Sequence, residues 1–226
     1  MRFVLDNCYL EFAINRNPEK YGGAIHGMNY FEFASTDIYK TRDNAVAQGF
    51  QTTDLVFANR YADHGRKNQG TAIFECVALK DDVIPNIETE SVCHKTPELF
   101  YNNERYIHAN CIERASGIIL CCDDPARVDK TAEDLAKWDL GLGDWGEGCG
   151  IRELNFVDRA TLLNDLGIKA PEDDCRNTGG VVLETSDYEK TAACMKAFGD
   201  AVKENKYGLV VDLVASQNIF FVIPKR

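Results

Sequence analysis

Five side chains stand out as able to act on a small molecule: Glu11, Arg60, His94, His108 and Asn110. Glu11 sits in Tyr9-Leu10-Glu11-Phe12, where the alternation of a strand turns it away from the face of Leu10 and Phe12. A carboxylate there is a hard oxygen ligand for a divalent cation or a general base. The competing reading is a glutamate facing water on an outer strand. His94 closes an apolar strand just ahead of Lys95-Thr96-Pro97. A neutral imidazole suits a divalent metal or a proton transfer; the alternative is a histidine bonded to a nearby carbonyl. Arg60, with His64, Arg66 and Lys67, makes a basic loop in an acidic chain. A forked guanidinium there would hold a carboxylate, and a solvated loop is the plainer alternative. His108 and Asn110 fall in a turn-rich connector, where asparagine commonly bonds its own backbone.

Other chemistries find no motif. No Cys-x-x-Cys pair occurs among the nine cysteines, so the usual zinc-ribbon and thioredoxin spacings are absent. Cys121 and Cys122 lie inside an apolar run and read as small core residues. Gly141, Gly143, Gly146, Gly148 and Gly150 lack the Lys-Ser/Thr of a phosphate loop and read as a turn. The net charge of −11 repels nucleic-acid backbones and anionic membrane surfaces. No apolar run is long enough to span a bilayer, and the N-terminal one is too short for an export signal. A cytoplasmic location with reduced thiols is the expectation.

The elements that must position these residues recur. Tyr30 to Asp37, Ile118 to Asp124 and Val181 to Asp187 each read as a strand ending in a hydroxyl or acidic turn, with a helix at once after it. The first helix has Ile38, Thr41, Ala45 and Gln48 on one face; the second has Val128, Ala132, Leu135 and Trp138. The third has Tyr188, Ala192, Met195, Phe198 and Val202, with Ser186 and Glu189 at capping-box spacing. Further strands are expected at 70–79, 83–92, 151–157, 161–166, 209–215 and 219–223. Phe3 to Phe12 reads as a hairpin turning at Asp6-Asn7. Turn-rich stretches at 15–23, 59–70, 102–116 and 169–180 are expected loops. The fold class is therefore α+β, built from repeated βαβββ modules in curved mixed sheets. The first module is expected to be incomplete at the N-terminus. Residues 1–101 form one half, 102–116 a connector and 117–226 the other half.

His94-Lys95-Thr96-Pro97-Glu98-Leu99-Phe100, then His108-Ala109-Asn110, then Gly117-Ile118-Ile119-Leu120 before Asp123-Asp124-Pro125, resembles the glyoxalase-like family of the vicinal-oxygen-chelate superfamily. Tyr9-Leu10-Glu11 and Arg60 resemble its Tyr-Leu-Glu strand and its loop arginine. The resemblance implies paired modules closing a cup around a small substrate, with a divalent metal on the cup floor. Glu11 and His94 would then be metal ligands and catalytic groups, and Arg60, His108 and Asn110 would contact substrate. The first strands of the later modules carry no histidine at the usual ligand position, a departure from the family's metal site. The implied activity is a metal-using lyase, isomerase or dioxygenase-type enzyme. The sheet edge left open by the incomplete first module favours a homodimer. A module that sequesters a small molecule, and a shortened copy with an interaction role, stay open beside it.

Overall fold

The computed structural model describes residues 2–5, 8–12, 27–63, 69–99, 108–137, 153–172, 175 and 177–225. In chain order the strands and helices are β1 (Arg2–Val4), β2 (Tyr9–Glu11), β3 (Tyr30–Ala34), α1 (Ile38–Ala47), β4 (Val56–Asp63), β5 (Gln69–Ala78) and β6 (Glu88–His94). Then follow β7 (Ile112–Cys121), α2 (Pro125–Lys137), β8 (Glu153–Val157), α3 (Arg159–Thr161), β9 (Gly179–Thr185), α4 (Tyr188–Met195), β10 (Val202–Asn205), β11 (Gly208–Leu213), α5 (Val214–Gln217) and β12 (Ile219–Pro224). The chain divides into two compact units. One comprises Met1–Asn29, Asn103–Pro125 and Gly150–Arg226; the other comprises Tyr30–Asn102 and Ala126–Cys149.

In the second of these units the sheet order is β3-β6-β5-β4. β3 runs parallel to β6, from Tyr30↔Glu88 to Ala34↔Val92, and β6, β5 and β4 are successively antiparallel. Parallel neighbours cannot be joined by a tight turn, so α1 and the β4–β5 pair form the crossover. This is one βαβββ module. In the other unit the order is β10-β11-β12-β9-β7-β8. Here β9 is parallel to β12, and β12, β11 and β10 are antiparallel, which repeats the same module strand for strand. β7 joins this sheet antiparallel to β9 and carries β8 parallel on its other side. β1 and β2 pair as the expected hairpin, from Arg2↔Glu11 to Val4↔Tyr9. Leu5 is fully buried from it, packed with Ile112, Ala115, Val181 and Leu183. The α+β class and the repeated module are thus present.

Both modules turn from first strand to helix by the same device. In one, the Ser35 hydroxyl accepts from the Asp37 backbone N–H at 3.2 Å and bonds the Thr41 hydroxyl at 2.7 Å. In the other, Thr185 accepts from the Asp187 N–H at 3.1 Å and bonds Thr191 at 2.6 Å. Asp37 caps α1 by accepting from Lys40 N–H at 3.1 Å, and Asp187 caps α4 by accepting from Lys190 N–H at 2.9 Å. Ser35, Thr41 and Thr191 are buried, and mutual bonding removes the cost of hiding their hydroxyls.

Several expectations are corrected. The capping residue of α4 is Asp187 rather than Ser186, whose hydroxyl instead donates to the Cys111 carbonyl. α4 ends at Met195, so Phe198 is half exposed and Val202 opens strand β10. Gly199, at φ +58° and ψ −129°, breaks the helical path between them. Residues 161–166 form helical turns rather than a strand, with Asp158 accepting from Thr161 N–H at 2.7 Å to start them. β4 occupies the first part of the expected 59–70 loop, because Val56 to Asp63 pair residue by residue with Cys76 to Gln69. On α1 Gln48 is the exposed C-terminal cap, not part of the buried stripe. On α2 the buried positions are Thr131 and Asp134, and Ala132 is exposed. Trp138, Asp6, Asn7 and the 15–23 stretch lie outside the described residues.

Close approach at one glycine gives a direct test of the β9–β12 pairing. A Cβ on Gly180 would sit 2.1 Å from the ring of Phe220, which is fully buried. Gly180→Ala is therefore expected to cost about 1–3 kcal/mol by overpacking, read as a lower urea midpoint. Asp187→Ala should remove about 1 kcal/mol through loss of the α4 cap, with an unchanged m-value in the same measurement.

Candidate functional site

The two modules carry different residues on the sheet face opposite the helix. Strand side chains alternate between faces, and Ile38 of α1 packs with Val77 and Cys93. The other face of this sheet therefore presents Glu32 from β3, Arg60 from β4, Phe74 and Cys76 from β5, and Glu90, Val92 and His94 from β6. Registers Glu32↔Glu90, Cys76↔Val92 and Phe74↔His94 set them side by side. In the second module the corresponding face is apolar. Val210, Phe220 and Val222 pack there with Leu162, Ile168, Ala170 and Cys175. Leu162, Ile168, Ala170 and Cys175 cover that face, whereas polar side chains occupy the face bearing His94.

Two of the expected residues meet on it through an aromatic ring. The Arg60 guanidinium carbon lies 5.1 Å from the Phe74 ring centroid. The His94 and Phe74 centroids are 6.0 Å apart with planes tilted by 53°. A cation over a ring face is attracted by the ring quadrupole, which orients the guanidinium without using its donors. Arg60 is exposed and His94 buried, so the array runs from water into the unit. His94 is held at the end of β6 by its neighbours: Lys95 N–H donates to the Ile73 carbonyl at 2.9 Å, and Ile73 N–H donates to the Thr96 hydroxyl at 2.9 Å. Lys95 also pairs with Glu75 at 2.9 Å on the opposite face.

Burial shapes the titration of the neighbouring acids. It pushes the Glu90 carboxyl above its ordinary value. The Cys76 thiol is pushed up to about 11, first by burial and then by the charges of Glu32 and Cys93. Glu90 lies two strand positions beyond Val92 from His94 on this face, facing Glu32 across the β3–β6 register. Glu32, Cys76 and Glu90 escaped sequence reasoning. The signal was an acid at every second position of Glu88-Thr89-Glu90, which shows a face only once α1 has claimed the other.

The remaining expected residues stand elsewhere. Glu11 ends β2 as an exposed residue in the other unit. His108 and Asn110 precede β7, where the Asn110 side chain accepts from Ile112 N–H at 3.3 Å. The Asn110 carbonyl accepts from the Thr191 hydroxyl at 2.6 Å, and the His108 carbonyl from Cys111 N–H at 3.0 Å. These bonds shape the connector. His64, Arg66, Lys67 and the glycines 141–150 lie outside the described residues. Neither Glu11 nor His94 belongs to a group of three metal-ligand side chains among the described residues. The one such group is Cys121, Asp123 and Cys175.

No protein-family profile matches the chain, and no curated protein matches it. Among solved structures it is similar to a hypothetical protein from Staphylococcus aureus, at 7% identity and TM-score 0.47, covering 84% of this chain and 63% of that one. It is similar to homoprotocatechuate 2,3-dioxygenase from Arthrobacter globiformis, at 13% identity and TM-score 0.46, covering 89% of this chain and 63% of that one. It is also similar to a variant of homoprotocatechuate 2,3-dioxygenase from B. fuscum, at 14% identity and TM-score 0.48, covering 90% of this chain and 56% of that one. The chain thus spans less than two thirds of the length of these structures.

Proposed function

We propose that this chain binds a small, oxygen-rich carboxylate on the sheet face bearing Arg60, Phe74 and His94, in the manner of a vicinal-oxygen-chelate protein. The observation that carries this reading is the Arg60–Phe74–His94 array, built from three adjacent strands of one βαβββ module. Arg60 takes the carboxylate through paired N–H donors. Phe74 offers a flat face to an unsaturated ligand such as a 2-oxo acid, an enediol or a catechol. His94, beside Phe74, supplies the group for moving a proton on such a ligand, the step shared by lyases and isomerases of this kind. Glu11 and His94 are the proposed ligands for a divalent ion, an oxygen and a nitrogen donor suited to it.

Sequestration without turnover is the second reading. Ala72, Val92 and Phe74 make this face partly apolar, as a sequestering module needs. A homodimer belongs to the proposal as its assembly: β4 is an edge strand, with Phe57 64% and Tyr61 66% exposed. A cytoplasmic location is likewise proposed. Among the described residues no helix is long and apolar enough to cross a membrane.

Calorimetric titration with a panel of 2-oxo acids, catechol carboxylates and their methyl esters tests the site. Arg60→Ala is expected to weaken the best carboxylate by about 10- to 100-fold, as loss of a charged hydrogen bond does, while leaving its ester unaffected. Equal loss for acid and ester, or none for either, would remove Arg60 from recognition. Proton exchange on a bound 2-oxo acid, followed by NMR and lost in His94→Gln, separates an enzyme from a sequestering module. Glu90→Gln gives a stability counterpart. The folded carboxyl titrates above its unfolded value, so it stabilises the fold in acid and this contribution is lost as pH rises through the folded pKa. The variant should melt higher than the parent at neutral pH and match it well below pH 4.5, the ordinary carboxyl value.

A further inference from the structure

The cluster Cys121, Asp123 and Cys175 is chemically unlike anything else among the described residues. Their two sulfurs and a carboxylate oxygen all lie within 4.8 Å of one another. They converge from separate places: Cys121 ends β7, Asp123 follows it, and Cys175 sits in the segment before β9. Backbone bonds fix that convergence. Cys121 N–H donates to the Thr178 carbonyl at 2.9 Å, and Thr178 N–H donates to the Cys175 carbonyl at 3.0 Å.

The carboxylate is positioned as well. Asp123 Oδ2 meets Arg159 Nε at 2.8 Å, and Oδ1 accepts from Arg159 backbone N–H at 2.9 Å. The guanidinium is anchored in turn, with Nη1 donating to the Glu172 carbonyl at 2.6 Å. Cys175 Sγ lies 3.7 Å from Asp123 Oδ2. A tetrahedral zinc ion with bonds of about 2.3 Å to sulfur and about 2.0 Å to oxygen would place these two atoms about 3.5 Å apart. Both cysteines are buried and Asp123 is exposed, so a fourth position would open toward solvent.

We propose that Cys121, Asp123 and Cys175 form a binding site for a thiophilic divalent cation of the zinc class, with the fourth position left to water. Formal charge is balanced in both states. Without the ion, protonated thiols and the Asp123–Arg159 pair sum to zero. With it, two thiolates and a carboxylate carry −3, and the ion with Arg159 carries +3. The ion thus replaces two protons and leaves no net charge in a partly buried place, where unbalanced charge is expensive. The site lies in the unit that lacks the Arg60 array, so it stands or falls independently of the proposed function.

The test is cobalt and zinc titration of the full-length chain, stripped with a chelator and kept reduced with a phosphine. One cobalt per chain is expected, with sulfur-to-cobalt charge-transfer absorption, displaced by one equivalent of zinc. Cys121→Ser and Cys175→Ser should lose that absorption and stoichiometric binding, and Asp123→Asn should weaken it. Cys122→Ser and Cys194→Ser, which alter thiols outside the cluster, should bind as the parent does. A parent chain without thiolate–cobalt absorption overturns the site whether or not any variant folds. Undiminished binding in a folded Cys121→Ser/Cys175→Ser chain overturns it equally.

Discussion

A buried hydroxyl-to-hydroxyl bond at the corner between first strand and helix organises both modules. Ser35–Thr41 and Thr185–Thr191 each lock a residue at the strand end to one in the second helical turn. The adjoining aspartate caps the helix at the same corner. Together they fix the direction in which the helix leaves the sheet. That direction decides which face the helix covers, and hence which face is left for chemistry. The parallel pairing of first and last strands follows, because the chain must return along the first strand after its crossover.

Given one scaffold used twice, what differs is the load on the face away from the helix. The module around β9 fills that face with Val210, Phe220 and Val222 against the Leu162–Ala170 stretch. Phe220 fits there only because Gly180 on the neighbouring strand has no side chain. The module around β3 keeps Glu32, Cys76, Glu90, His94 and Arg60 on the equivalent face. Carrying acids and an imidazole on a sheet face costs solvation, visible in the raised titration of Glu90 and Cys76. Such a cost is a common mark of a functional surface. One copy thus acts as structural core and the other as the candidate site.

Much of the scaffold was legible in the chain. The hydroxyl–acid turns at Ser35-Thr36-Asp37 and Thr185-Ser186-Asp187, each followed by a periodic helix, announce the repeat. The hairpin of β1 and β2 reads from alternation alone. β4 did not, since Asn59 and Arg60 look like loop residues; on this edge strand both are exposed and are tolerated for that reason. The short helix from Arg159 was hidden because Leu162, Leu163 and Leu166 suit strand or helix equally, and a capping aspartate at 158 decides between them. His94 and Arg60 were visible as reactive types. Their meeting across Phe74 was not, because it depends on the β4–β5–β6 register. The Cys121–Asp123–Cys175 cluster was invisible for a stronger reason: it unites residues more than fifty positions apart with no motif spacing.

Chemical-shift mapping of the labelled chain with a saturating 2-oxo carboxylate would locate the ligand on one sheet face or the other. Perturbations are expected to centre on Ala58, Arg60, Phe74, Cys76, Glu90 and His94, with Val210, Phe220 and Val222 silent. Perturbations centred on the latter three, with the β4–β5–β6 face unchanged, would contradict the assignment of core and site to the two modules.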